Sequence, residues 1–484
     1  MRITVLLVVL LGLPAARAAP AEAERALVET VERELLAFVG LAAERGALEA
    51  CQEELRRALR VTPGSKRLAA ELAGVEARRG EEADGVELGP DLDARRAALR
   101  EAISLGLARA AQAVADDPGA HAHYLSLLQR FYPSPAAYEA LGKEYFRPLW
   151  RWVSPEVAQA LRGGADYYEG RLIDARQVAH LDAKHADWSN PWVLSDGVHE
   201  VRTTCPLRQA NQALTLARAL REHLLTTFGE ALDLRAPQGK LPIVMARTHA
   251  QFVEQLEAYG WSGEQARTHP KASGVAFYKR SDKPLGPCLL TFEPGNAQGK
   301  LFRIPLERFE SLQAMLVHEL AHQIAFEYSK HGVPRGKTGA PLRPLDAQQW
   351  VVEGFATYMG QHAYDGRTWH LRLSTEVPGV VSPTDTGAFA STYGWRQRLP
   401  AIAEFVTFPR RSFSKVAGQK IAGTLTYFML EGAGQRYRAG FLELLKVVHQ
   451  ERATRTTFAE AFADCDTTRL QADWEAFLEE LDLD

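Results

Sequence analysis

Across residues 19–145, apolar side chains recur every three to four positions between charged residues and many alanines. This period predicts a series of amphipathic helices. The pattern stops at Pro63 and Gly64, between residues 46–59 and residues 67–79, which predicts a helical hairpin. The first third of the chain is therefore expected to be a helical region.

Degenerate tetratricopeptide units are one interpretation of this helical region, because a second hairpin is predicted around Pro118 and Gly119. The two Pro-Gly turns lie 55 residues apart, however, whereas tetratricopeptide repeats recur about every 34 residues. A plain helical domain without repeats stays open beside the tetratricopeptide-like interpretation.

The helical period fades over residues 146–196, where tryptophan and glycine are frequent, and a connecting region is expected there. Beyond it, short apolar runs predict strands and longer runs with helical spacing predict helices. The predicted strands are residues 197–204, 240–245, 274–278 and 288–292. The predicted helices are residues 209–228, 307–328, 348–361, 414–431, 437–449 and 468–481. The expected fold class is α+β and predominantly helical, with a small mixed sheet in a domain that spans residues 197–484.

Residues 1–18 show the three-part pattern of a secretory signal peptide. Met1 and Arg2 precede the apolar residues 3–13, and Ala16 and Ala18 provide the small residues of a cleavage site. The apolar run is shorter than the roughly 20 residues of a membrane helix, and no later segment reaches that length. We expect an exported protein with no integral membrane segment after signal removal. A buried N-terminal helix is the alternative.

Charge and cysteine content narrow the expected partners. The net charge is −3 and the pI is about 6.6, so neither gives an electrostatic reason to expect nucleic acid as a partner. The four cysteines are too widely spaced for a CxxC metal or redox motif. They are Cys51, Cys205, Cys288 and Cys465. In an exported protein they permit up to two disulfides, and four free thiols are the alternative. The oligomeric state stays open.

The chain carries one HExxH motif, at His318, Glu319 and His322, inside the predicted helix 307–328. Two helical positions four residues apart differ by about 40° around the axis, so both imidazoles can reach one zinc ion. Glu319 lies about 100° from His318, where it can take a proton from a zinc-activated water. Two histidines that only form hydrogen bonds in a helical core are the alternative.

A catalytic zinc ion needs a third protein ligand and one open position. The histidine that metzincins place six residues after the second motif histidine is absent, and Glu327 projects from the opposite face of the helix. Glu353 is the favoured ligand, because it is a lone carboxylate in an apolar helix where a cation offsets the cost of its burial. His331 and Asp346 stay open as alternatives. Small residues on the face of Glu353 predict a close approach to the motif helix: Ala356, Thr357 and Gly360.

The motif helix and the helix that carries Glu353 resemble those of the gluzincins. In these zinc peptidases a second helix donates a glutamate to the zinc ion that the HExxH histidines bind. The resemblance is narrower to bacterial peptidase MA-like domains and covers residues 197–481. It rests on the segments Glu200–Thr204, His318–Gln323, Trp350–Tyr358 and Trp474–Leu478. The resemblance implies a zincin-like domain, Zn²⁺ bound by His318, His322 and Glu353, and a bacterial protein of the periplasm or the cell exterior. It also implies hydrolysis of peptide or protein substrates.

Two departures refine this resemblance. Aminopeptidases of the aminopeptidase N type share the string from Glu353 to Ala356, but they place the glutamate closer to the second histidine than the 31 residues found here. Their Gly-Ala-Met-Glu-Asn segment is also absent, so endopeptidase action is favoured. Val352 stands where relatives often have asparagine. The hydrogen bond that such an asparagine makes near the ligand glutamate is therefore in question here.

Peptide hydrolysis also requires a donor to the tetrahedral oxyanion. Three tyrosines are candidates, and a role as core aromatic residues is the alternative for each: Tyr358, Tyr393 and Tyr427. A rival hypothesis for the whole chain is a catalytically inactive scaffold that recruits partners through its N-terminal helices. A zinc hydrolase acting on a non-peptide amide is a third.

Overall fold

The computed structural model describes residues 18–79, 89–237, 239–258, 277–279, 288–292, 309–329, 348–366, 369–371, 400–409, 416–450 and 452–480. Residues 1–17 of the expected signal peptide lie outside these ranges, as do three candidate site residues: His331, Asp346 and Tyr393. Within the described ranges, every helix is too short or too polar to cross a membrane.

The described residues form two compact units. The first runs to Phe146 and includes Arg151–Gln159, and the second contains Arg147–Trp150 and the chain from Ala160 onward.

Helices dominate the first unit. In chain order they are α1 Ala18–Glu44, α2 Leu48–Val61, α3 Lys66–Arg79, α4 Pro90–Ala113, α5 Pro118–Phe131 and α6 Pro135–Ala140. An antiparallel pair follows, β1 Glu144–Phe146 and β2 Arg151–Val153. The inner helix faces meet in an apolar core that includes Leu35, Leu55, Ile103, Leu107 and Leu128. The hairpin predicted around Pro63 and Gly64 is confirmed as α2 and α3.

Residues 146–196, expected to be a connecting region, contain regular structure. Besides β2, the elements in this range are α7 Pro155–Arg162, β3 Asp166–Tyr168, β4 Arg171–Ile173, α8 Ala175–Lys184 and β5 Trp192–Ser195. Strands of three residues are too short to show an alternating pattern, which is why the sequence did not indicate them. From Ala160 onward these elements are part of the second unit.

A five-stranded mixed sheet lies in the second unit, in the order β5-β6-β7-β9-β8. Its other strands are β6 His199–Thr203, β7 Leu241–Ala246, β8 Phe277–Lys279 and β9 Cys288–Phe292. Strands β6, β7 and β9 are parallel, whereas β5 and β8 run antiparallel to their neighbours at the two edges. All four strands predicted after residue 196 are present. The crossover after β6 is α9 Leu207–Phe228, which packs against β5 and β6.

The remaining elements are mostly helices, as the sequence predicts. They are α10 His249–Ala258, α11 Phe309–Tyr328, α12 Gln349–Gly360, α13 Ile402–Phe405, α14 Val416–Glu431, α15 Arg438–His449, α16 Thr457–Ala461 and α17 Thr467–Glu480. A further hairpin pairs β10 His362–Tyr364 with β11 Trp369–Leu371, and short 3₁₀ turns cover Arg147–Leu149 and Ala433–Gln435. The predominantly helical fold class with small sheets is confirmed.

Glycines bring α12 and α14 into close contact. A Cβ added to Gly354 would lie 2.6 Å from the carbonyl oxygen of Ala422, and one on Gly423 would lie 2.6 Å from Cγ2 of Thr357. These distances are shorter than van der Waals contact, so neither position accepts a larger residue without movement of a helix. Thr357, one of the small residues on the face of Glu353, contacts α14 at Gly423.

The cysteines whose side chains the structure describes are free thiols: Cys51, Cys205 and Cys465. Cys51 is fully buried in the first unit, where burial raises the pKa of its thiol to about 11. At neutral pH this thiol is therefore protonated and unreactive.

Candidate metal centre

The two motif histidines lie one turn apart on α11. His318 is 3% exposed and His322 is 7% exposed. Their Nε2 atoms lie 3.2 Å from each other, and the ring planes are nearly perpendicular. The spacing of four residues thus brings both imidazole nitrogens to one point, as the helical geometry predicts.

Helix α12 brings Glu353 to the same point. Its Oε2 atom lies 3.7 Å from Nε2 of His318 and 3.7 Å from Nε2 of His322. Within the described residues, this is the one group of three or more His, Cys, Asp or Glu side chains arranged closely enough to share a metal ion. The structure therefore brings together the three residues that the sequence assigns as ligands.

The separations of these donor atoms fit a zinc ion. In a tetrahedral site with bonds of about 2.0–2.1 Å, ligand atoms lie about 3.3 Å from one another. The observed separations are 3.2 Å between the two nitrogens and 3.7 Å from each nitrogen to Oε2. Two nitrogens and one carboxylate oxygen are also a donor set typical of catalytic zinc, which keeps a fourth position open.

The charges at the site suit a cation. Burial lowers the pKa of His318, although the neighbouring Glu353 carboxylate opposes this effect, so the imidazole is neutral at neutral pH. Burial raises the pKa of Glu353, but the close imidazoles of His318 and His322 outweigh it and hold that pKa well below its usual range. An N–H donated between the imidazoles also explains a 3.2 Å separation, but it leaves the carboxylate charge uncompensated. A divalent cation satisfies all three groups.

Two glutamines hold the Glu353 carboxylate. Nε2 of Gln349 donates to Oε1 over 3.1 Å, and Nε2 of Gln419 donates to Oε2 over 3.2 Å. Both donors are neutral, so they orient the carboxylate without cancelling its charge. Val352, which stands where gluzincin relatives often have asparagine, is a buried core residue.

Neither glutamine was predicted from the sequence. Gln349 had a detectable signal, because it lies four residues before Glu353 on the same helix face. Gln419 had none, since it lies on α14, 66 residues from Glu353.

Helix α11 is fixed against the sheet by a polar contact next to the motif. Nε2 of Gln323 donates to the carbonyl oxygen of Pro242 in β7 over 2.8 Å. At the end of the helix, the backbone N–H of Arg235 donates to the carbonyl oxygen of Tyr328 over 2.9 Å. These bonds, together with packing against α9, α12, β8 and β9, set the position of the histidines.

Glu319, the expected general base, is 7% exposed and follows His318 directly on α11. A helical step of about 100° places it beside the ligand histidines rather than among them. It is not part of the converging group formed by His318, His322 and Glu353. This placement is compatible with proton transfer at the edge of the site, and its role stays a prediction.

The tyrosine candidates lie in a different environment. The Tyr358 hydroxyl donates to Oε1 of Glu431 over 3.0 Å, and its ring stacks on Tyr427 with the centroids 6.2 Å apart. Burial raises the pKa of Tyr358, and the Glu431 carboxylate raises it further. Five residues along a helix correspond to about 140°, so Tyr358 projects from a different face than Glu353. The oxyanion role of either tyrosine is untested and stays a prediction.

Comparison of the chain with protein-family models, with curated proteins and with solved structures found no match. The chemistry of the site follows from its own side chains: two imidazoles and one ionised carboxylate around a point, with a second carboxylate next to them. Such an arrangement can hold a divalent metal ion and accept a proton beside it.

Proposed function

We propose that this chain is a zinc-dependent peptidase, with zinc held by His318, His322 and Glu353. The observation that supports it most strongly is the convergence of two Nε2 atoms and one Oε2 atom within 3.2–3.7 Å. No guanidinium or ammonium group balances the carboxylate among the ion pairs of the described residues at this point. The site therefore offers a cation two imidazole nitrogens and one negative charge.

Bound at this point, zinc supplies a Lewis acid that polarises a carbonyl and makes a water molecule more acidic. Glu319 would accept a proton from the attacking water at a carboxylate oxygen while the water oxygen bonds to the carbonyl carbon. It would then deliver that proton to the nitrogen of the leaving amine as the C–N bond breaks. The His318 and His322 rings would offer their Nε2 lone pairs to the ion. Because these side chains are buried, their interactions are stronger than they would be in bulk water.

The resemblance of the sequence to gluzincins supports the same proposal. We extend it to a zincin-like arrangement of the second unit, in which the mixed sheet and α11 carry the site; the contacts of α11 with β8 and β9 agree with this. The signal-like pattern of residues 1–18 supports export to the periplasm or the exterior of a bacterial cell. The substrates are then peptides or proteins, and the sequence departures described above favour internal cleavage.

The proposal is tested by measuring zinc per chain together with cleavage of a mixed peptide library. Wild-type protein should contain one zinc ion and cleave internal peptide bonds, and a chelator should remove both properties. The Glu319→Gln variant should keep zinc and lose about 10²–10⁴-fold in cleavage rate, the usual contribution of a general base. Glu327→Gln is the matched control on the same helix and should keep zinc and activity.

Other results separate the rival hypotheses. Zinc without cleavage of any peptide would favour an inactive scaffold, or a hydrolase of non-peptide amides if such a substrate is cleaved. Undiminished cleavage by Glu319→Gln would refute its role as the base. Cleavage that survives complete zinc removal would contradict the proposed mechanism.

A further inference from the structure

The first unit contains an open groove walled by arginines. Its volume is about 680 Å³, and α2, α3 and α5 form its sides. The arginines that line it are Arg56, Arg57, Arg60, Arg79 and Arg130. Two glutamates, Glu49 and Glu53, share the wall, so the groove has a net charge of +3. Since the whole chain has a net charge of −3, this groove is a local concentration of positive charge.

Ion pairs hold part of this wall in place. Arg57 contacts Glu53 over 2.7 Å, and Arg56 contacts Glu76 over 2.8 Å. Glu53 also bonds to Arg96 of α4, and burial alone raises its pKa, but the arginines around it lower the pKa overall. These carboxylates are therefore ionised and already engaged by guanidinium groups of the fold.

Arg60 and Arg130 differ from the other arginines of the wall. Neither has a carboxylate partner within the described part of the chain, and both are exposed. Their guanidinium carbons lie 5.8 Å and 5.3 Å from the ring centroid of Phe131. A cation over an aromatic ring is held in position while its N–H donors stay available. The two groups thus form a pair of free donors around one apolar surface.

We propose that this groove binds an acidic peptide segment, with its carboxylates on Arg60 and Arg130 and its backbone or an apolar side chain on Phe131. Guanidinium groups bind carboxylates through two parallel hydrogen bonds. The volume is within the range of roughly 300–1,000 Å³ that is typical of ligand sites, so it accommodates a short segment rather than a single ion. Glu49 and Glu53 in the same wall repel a continuous anionic surface, which favours a peptide of discrete charges over a membrane or polyphosphate.

The test uses the full chain and a dye-labelled hexapeptide of alternating aspartate and glycine, with binding measured by fluorescence anisotropy at low and moderate salt. A peptide with asparagine in place of aspartate carries the same dye. The acidic peptide should bind, and the asparagine peptide should bind at least tenfold more weakly. The double variant Arg60→Gln with Arg130→Gln should weaken binding of the acidic peptide at least tenfold.

A matched double variant separates the groove from overall charge. Arg67→Gln with Arg109→Gln removes the same two charges from exposed positions of α3 and α4 outside the groove and should leave binding unchanged. Circular dichroism should show the same helix content for both double variants. Equal losses in the two double variants, equal binding of both peptides, or binding only to vesicles rich in phosphatidylglycerol would each overturn the proposal.

Discussion

The negative charges of two enclosed carboxylates in this molecule have different surroundings. Glu54, in the first unit, is fully buried, and its Oε1 accepts hydrogen bonds from the guanidinium groups of Arg96 and Arg100. Glu353, in the second unit, has a 19% exposed side chain and is surrounded by two imidazoles and two glutamine amides. The first carboxylate has permanent positive charge beside it, whereas the second has imidazoles and amides beside it.

The difference separates a structural ion pair from a candidate metal site. A buried carboxylate with guanidinium partners is neutralised by the fold itself. A carboxylate held by neutral groups, and facing two imidazole nitrogens, keeps its charge for a cation that enters from outside. Glu54 is therefore expected to affect stability and Glu353 to affect metal binding.

The largest effect is expected for Glu353→Gln. The variant keeps the size of the side chain but removes the charge that binds zinc, so zinc affinity should fall on the order of a thousandfold, about 4 kcal/mol. Competition with a chromophoric chelator measures this change. Unchanged affinity would mean that Glu353 is not a ligand.

Glu54→Gln should have the complementary effect. Removal of the carboxylate leaves Arg96 and Arg100 without their buried partner, so the free energy of unfolding of the first unit should fall by about 3 kcal/mol. Zinc affinity should be unchanged. Urea unfolding measures the stability, and the chelator assay measures the zinc affinity. A loss of zinc affinity in Glu54→Gln would contradict the assignment of Glu54 to stability alone.

His199 lies away from the candidate site, and its protonation shows whether burial keeps an imidazole neutral at pH 7. It is fully buried beside Asp196 and Arg221. Burial lowers its pKa from 6.5 to about 4. Because the unfolded chain takes up this proton first as the pH falls, stability is lost between pH 6.5 and 4, by about 2 kcal/mol from pH 7 to pH 5.

The measurement for His199 is the slope of unfolding free energy against pH in wild type and in His199→Gln. The variant should lose about 2 kcal/mol less over the same interval, whatever its absolute stability. Identical slopes would show that this imidazole is not buried in its neutral form.

The smallest effect is expected for Gln419→Ala. Loss of the hydrogen bond to Oε2 lets the carboxylate rotate, so zinc affinity should fall at least tenfold, about 1.4 kcal/mol. Gln129→Ala, at an exposed position of α5, is the control and should not change zinc affinity. A Gln419→Ala variant that binds zinc as wild type does would show that the amide has no orienting role.

The sequence predicts the long elements well, because their apolar period extends over several turns. The motif helix was expected at residues 307–328 and is observed at Phe309–Tyr328. The three-residue strands between residues 146 and 196 escaped prediction, since so few positions give no usable period. The contact of Thr357 with Gly423 was not predicted, because the period of α12 fixes which residues share a face but not which helices that face meets.

Most of the candidate site was accessible from the sequence because it lies on two helices. The spacing of His318 and His322 fixes their geometry within one helix, and the apolar surroundings of Glu353 mark it as an unusual carboxylate. Gln419 comes from a third helix, and only tertiary packing brings its amide to the carboxylate. Side chains that orient a ligand from a distant element carry no local signal.

Under the proposed function, His318, His322 and Glu353 bind one zinc ion. Anomalous X-ray diffraction at the zinc edge, from crystals of the zinc-loaded chain, tests it most directly. We predict one strong anomalous peak within about 2.3 Å of Nε2 of His318, Nε2 of His322 and a carboxylate oxygen of Glu353. A zinc peak elsewhere, or fully loaded crystals without a peak between these three side chains, would contradict the account.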